Sequence, residues 1–248
     1  MERPNPFQPP RDDEPEFAES ESGLPIKPVG ALNTALVGML GLVGLLNLAL
    51  LPYLVIEITA FTDLIAGRPI DVAGIQAKEQ QMGVLAWASV AGVLGTALIW
   101  WIWATRAANN LRTFGVEYLE FDPRALVWWW FVPIFQWIRP YQGIAELWKA
   151  SAASATGKPN DWPSLEPPKY FQLWWAMWLA RSILSAISQQ MTKTEDLETL
   201  RTAFVLDLAG CLATLVAAPL AALVVTRISR DQARAFEQQA ARRSGLRP

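Results

Sequence analysis

The apolar residues of this chain fall into long, nearly uncharged blocks parted by shorter polar stretches, unlike the spaced apolar positions of a soluble core. Residues 31–56, 82–104, 170–189 and 203–226 each supply about twenty predominantly apolar residues, enough at about 1.5 Å per residue to cross a hydrocarbon core of about 30 Å. The pattern predicts an all-α polytopic membrane bundle of four transmembrane helices. A fifth block, residues 125–138, is short for a crossing helix and is interrupted by Pro133. It is expected to form a Trp-rich re-entrant or interfacial segment. Directly after it, Pro140 suits the first turn of a helix over residues 140–152. Tyr141, Ile144, Leu147 and Trp148 fall on one face of that helix and Gln142, Glu146 and Lys149 on the other, which predicts an amphipathic helix in the plane of the inner leaflet.

The polar stretches divide the chain further. Residues 57–81 contain Gly67, Pro69 and Gly74 and read as a loop with a short helix or two. The second block ends in Trp100, Trp101 and Trp103, followed by Arg106, Asn109, Asn110, Arg112 and Gly115. That order marks a helix leaving the bilayer through an aromatic interface and stopping at a left-handed cap. Gly38, Gly41 and Gly44 in the first block, with Ala88, Gly92 and Thr96 in the second, are expected to let neighbouring helices approach. Residues 1–30 are rich in proline and acid and predict a disordered cytoplasmic tail rather than a cleaved signal peptide. Residues 31–226 form the membrane domain, and residues 227–248 a basic helical tail on the cytoplasmic side.

Charge decides the threading. With residues 125–138 not crossing, the positive-inside rule places Lys27, Arg106, Arg112, Arg124, Arg139, Lys149, Lys158, Lys169 and the basic C-terminal residues inside, and only Arg68, Lys78, Lys193 and Arg201 outside. Both termini are then cytoplasmic. If that block crossed, the sides would mix. Composition removes several chemistries: there is no histidine and Cys211 is the single cysteine, so disulfides, Cys/His zinc sites and Ser-His-Asp or Cys-His catalysis are excluded. No catalytic, metal or cofactor-binding residues are assigned, and no nucleic-acid partner is expected.

Arg181 and Asp207 are charges within predicted spans, where an ion without a partner is expensive. Arg181 sits about 13 Å and Asp207 about 6 Å from the outer surface at 1.5 Å per residue, a difference that a snorkelling arginine can cover. An Arg181–Asp207 ion pair is predicted, as a register clip or as part of a proton or substrate path.

A set of motifs surrounds the Trp-rich block: Arg106, Asn109 or Asn110, Arg112 and Gly115; Trp129, Trp130, Phe131 and Pro133; Trp137, Arg139, Pro140, Tyr141 and Gln142; then Glu146, Trp148, Ala150 and Ser151; and finally Ile228 and Gln232. Over about residues 82–237 the order resembles DUF4328, a family of bacterial, largely actinobacterial, multi-pass membrane proteins. The resemblance implies a plasma-membrane location and no assigned activity. Trp128 to Trp130, Trp137 and the helix over residues 140–152 are expected to anchor and seal the cytoplasmic face, or, with Arg106, Arg112, Arg139 and Lys149 around an aromatic floor, to form a recognition surface for a protein partner or lipid headgroup. The favoured function is a non-enzymatic scaffold or a partner- or lipid-binding protein, which includes a homo-oligomer; the alternative is a small transporter or channel component using Arg181 and Asp207.

Overall fold

The computed structural model describes residues 27–243. The expected acidic tail falls outside the described residues apart from Lys27 to Gly30. Among the described residues there are six α-helices: α1 (Gly30–Ile65), α2 (Val72–Thr113), α3 (Ala125–Trp128), α4 (Arg139–Ser154), α5 (Lys169–Met191) and α6 (Leu197–Arg243). No strand occurs among the described residues. The short Phe135–Trp137 and Pro159–Ser164 turns are 3-10 helices.

Residues 57–81 are not a loop. α1 runs on through Pro52 to Ile65, and α2 begins after a connection of only a few residues, capped by Asp71, whose carboxylate accepts the Gly74 N–H at 3.0 Å. The breakers cluster in that connection, where Gly67 adopts φ +67°. A similar short turn joins α5 to α6, with Asp196 accepting the Thr199 N–H at 2.8 Å. Short connections make antiparallel neighbours, so the chain forms two long hairpins with α1 packed on α6, and both hairpin turns lie at one end. Among the described residues three helices, α1, α2 and α6, are long and apolar enough to cross a membrane. α5 is 23 residues long but spends its first half on Trp174, Trp175 and Trp178, and it is not one of the three. It packs along α6 all the same.

The opposite end is the junction end. α2 stops at a left-handed Gly115 with φ +77°, and Val116 N–H reaches back to Leu111 C=O at 3.1 Å, the cap expected there. α4 starts with Pro140 in its first turn, also as expected. Its surroundings are not those expected of an amphipathic helix with one free face, however. Gly143 to Leu147 are buried without a break, together with Ala150, Ser151, Ala153 and Ser154, because α2, α3 and α6 enclose the helix. The expected polar face keeps only Gln142 fully outside, and Glu146 is buried. α6 passes from the hairpin turn to the junction as one helix, taking Pro219 and the basic segment with it.

The small-residue stripes divide. Gly92 meets Val43 and Leu46 of α1, and Gly95 meets Met39, so α2 does use glycine for close approach. Gly38, Gly41 and Gly44 face open space, with no atom within 4 Å of an added Cβ. Gly92→Leu should therefore lower stability by about 1–3 kcal/mol through overpacking, while Gly41→Leu should leave it unchanged or slightly raised. Thermal unfolding of both variants in detergent tests this, and equal losses would contradict the packing described.

Candidate functional site

The sequence motifs converge on the junction end. At its centre lies Asn110, 4% exposed. Its amide donates to Lys27 C=O at 3.0 Å and to Gln232 Oε1 at 3.1 Å, and its oxygen accepts the Lys27 N–H at 3.2 Å. Gln232, 2% exposed, donates in turn to Ala107 C=O at 2.8 Å and to Ser151 Oγ at 3.2 Å. One turn above, Trp103 Nε1 donates to Ser229 Oγ at 3.0 Å. Three helices and the segment before α1 are thus joined through side-chain amides and hydroxyls buried from water, where each bond counts because its loss leaves a stranded dipole.

Of the two adjacent asparagines, Asn110 is the joining one. Asn109 shares a helical face with Ile102 and Arg106 and is exposed; Asn110 shares its face with Trp103 and Ala107, both buried. The small apolar residues one turn away were the available signal. Ser151 and Gln232 stand in the family motifs without a role that the sequence assigns, and Ser229 carries no signal at all, since isolated polar residues on helices show no purpose until their helices meet.

A second layer holds residues 116–124, the connection between α2 and α3. Glu146 of α4 accepts the backbone N–H of Glu120 at 2.8 Å and of Phe121 at 3.1 Å. Burial raises the Glu146 pKa above the usual carboxylate range, with the two amide bonds opposing the shift and the charge of Glu120 adding to it. Arg139 bridges to Glu120 at 2.5 Å and lays its guanidinium 5.7 Å from the ring centres of both Phe121 and Trp129. Arg112 pairs with Asp122 at 3.0 Å. Arg106 donates to the Pro28 carbonyl at 3.4 Å.

The aromatic residues split into an inner and an outer set. Trp130 sits edge-on to Trp178 at 5.0 Å and to Trp175 at 5.8 Å, and also contacts Trp100; Tyr141 lies against Trp175, and Trp148 against Phe171. Trp175 Nε1 donates to the Trp137 carbonyl at 3.1 Å. Between these contacts the chain turns outward. Phe135 N–H bonds Pro133 C=O at 2.8 Å across Ile134, whose φ of +69° and ψ of −53° form a γ-turn, an unusual conformation for a β-branched residue. The turn leaves Trp128, Phe131 and Ile134 60%, 66% and 76% exposed, with Pro133, Phe135 and Ile138 beside them.

Arg181 and Asp207 lie on facing stretches of α5 and α6, near enough to influence each other's charge. The ion pairs among the described residues do not include them. Ser188, two turns beyond Arg181 on α5, lies beside Asp207. Elsewhere, Asp231 of α6 is 1% exposed and is held by Arg227 at 3.0 Å and Arg234 at 3.5 Å. Among the described residues no three His, Cys, Asp or Glu side chains are grouped as metal ligands would be.

The family model for DUF4328, a domain of unknown function, matches residues 67–230. The chain belongs to the DUF4328 family. No curated protein and no solved structure matches it. The matched region ends two residues before Gln232, yet Gln232 completes the polar centre whose other side chains, Asn110 and Ser151, lie within the family region.

Asn110→Ala should lower stability by roughly 2–4 kcal/mol, since it strands the Gln232 carbonyl and both backbone groups of Lys27, whereas Asn109→Ala should change it by less than about 0.5 kcal/mol. Unfolding curves distinguish the two. Because the folded pKa of Glu146 lies above its unfolded value, its contribution is present at pH below the ordinary carboxylate range and is lost as pH rises through the raised value. Glu146→Gln should flatten that part of the Tm-versus-pH profile, and an unchanged slope would rule out Glu146 as its source.

Proposed function

We propose that this DUF4328 chain is a four-span protein of the bacterial plasma membrane, both termini cytoplasmic, whose junction end acts as a non-enzymatic scaffold that docks a protein partner at the lipid interface. The observation that carries this reading is the use made of the motif residues. Asn110, Arg112, Arg139, Glu146, Ser151 and Gln232 are taken up in bonds that hold the junction together, and what that junction turns outward is an apolar strip, Trp128, Phe131, Ile134 and Phe135. Residues spent on rigidity, with a contiguous exposed aromatic strip held by an unusual turn, suit recognition better than catalysis.

The grouping of both hairpin turns at the end that carries few basic residues supports the threading, with α5 as the fourth pass. The alternative, a transporter or channel component, draws on Arg181, Asp207 and Ser188; solute flux in liposomes that disappears in Arg181→Leu would favour it.

In a Cys211→Ser background, single cysteines at Thr156, Thr192 and Ser244 should react with an impermeant reagent outside the cell only at position 192. Labelling at 156 or 244 would overturn the threading. A photo-cross-linker at position 131 should give discrete protein adducts in intact cells; lipid adducts alone, or water-quenched probe alone, would sink the docking reading.

A further inference from the structure

Beside the polar centre, on the outer face of α2, lies a cleft of about 530 Å³ lined by Lys27, Trp101, Ile102, Thr105, Arg106 and Asn109, with Asn110 at its back. Three features mark its chemistry. The first is charge: the ion pairs among the described residues include neither Lys27 nor Arg106, so two cations stand at the cleft without a carboxylate. A second is the Thr105 hydroxyl, which is buried and has no hydrogen-bond partner among the described residues, a donor that the fold has not consumed. The third is position. Leu94, Leu98 and Trp101 are 66%, 60% and 42% exposed and are spaced by four and three residues, so they form one outward stripe of α2. Thr105 and Asn109 continue that same stripe, each one turn further on.

The face therefore grades from hydrocarbon, through indole and hydroxyl, to guanidinium and ammonium. From Leu94 to Arg106 the helix rises about 18 Å, close to the half-thickness of about 15 Å of a bilayer core. We propose that this cleft binds the phosphate of an anionic phospholipid, with Arg106 and Lys27 as its cationic contacts, Asn109 and Thr105 as donors, and an acyl chain laid along Trp101, Leu98 and Leu94. The inference rests on the reading that α2 crosses the membrane. An acidic stretch of this same chain, residues 12–21, precedes Lys27 and is the competing occupant by charge. The apolar stripe running into the cleft favours the lipid, because an acidic peptide has no use for it.

The test uses the full chain in nanodiscs, with retention of phosphatidylglycerol against phosphatidylcholine read by native mass spectrometry. The wild type should retain phosphatidylglycerol preferentially, and Lys27→Gln/Arg106→Gln should reduce that preference about tenfold. Asn109→Glu, at an exposed position, should do the same without perturbing helicity. Arg124→Gln/Lys158→Gln, equal in charge and remote from the cleft, should leave the preference intact. Excess inorganic phosphate should not displace the lipid; displacement would assign the site to a free phosphate and overturn the proposal. Equal retention by all variants, or equal loss in the charge-matched control, would overturn it too. So would a Glu16→Cys–Asn109→Cys disulfide, in the Cys211→Ser background, that forms equally with and without phosphatidylglycerol, since that would give the cleft to the acidic segment. A chain that fails to enter nanodiscs at all would instead refute the membrane reading on which the inference rests.

Discussion

Everything at the junction end depends on a pair of buried amides. Asn110 and Gln232 cannot be left unpaired away from water, and between them they satisfy the backbone of Lys27, the carbonyl of Ala107 and the hydroxyl of Ser151. Those partners come from the segment before α1, from α2 and from α4, while Gln232 comes from α6. A sliding of any one helix by a single turn would break the set. Apolar contacts between long helices tolerate such slips, because one leucine packs nearly as well as the next. The amide pair supplies the register that the apolar surfaces do not.

Around that centre the structure builds rigidity in layers. Glu146 and Arg139 fasten residues 116–124 to α4, and Arg112 fastens them to α2. The inner tryptophans then wedge α2, the Trp130 turn and α5 together, so the start of α5 is held by aromatic surface. With the inner face fixed in this way, the γ-turn at Ile134 can hold an apolar strip outward instead of letting it fold back. Rigidity of the junction and exposure of the strip are two consequences of one arrangement.

Much of the fold is legible in the sequence. Long apolar blocks impose long helices because an unpaired backbone in lipid is intolerable, and Gly115 and Pro140 mark helix ends through their fixed conformational preferences. The polarity of residues 57–81 resembles that of a loop, whereas α1 and α2 simply extend past the apolar section. The pattern over residues 140–152 is that of an amphipathic helix, yet Glu146 on its polar face is buried because it accepts two backbone amides.

The sequence alone determined what chain-local physics determines: the helical class, the positions of the apolar blocks, the ends of α2 and α4, the charge asymmetry and the family motifs. Which asparagine is buried, which glycines are packed and which cations stand without carboxylates was decided only in the tertiary structure. Asn109 and Asn110 are chemically identical neighbours, Gly41 and Gly92 are both glycines in apolar helices, and Arg106 and Arg112 are both arginines at the same helix end. Each pair is separated only by what the rest of the chain brings to it, and Gln232, which α6 brings to Asn110, is 122 residues away in sequence.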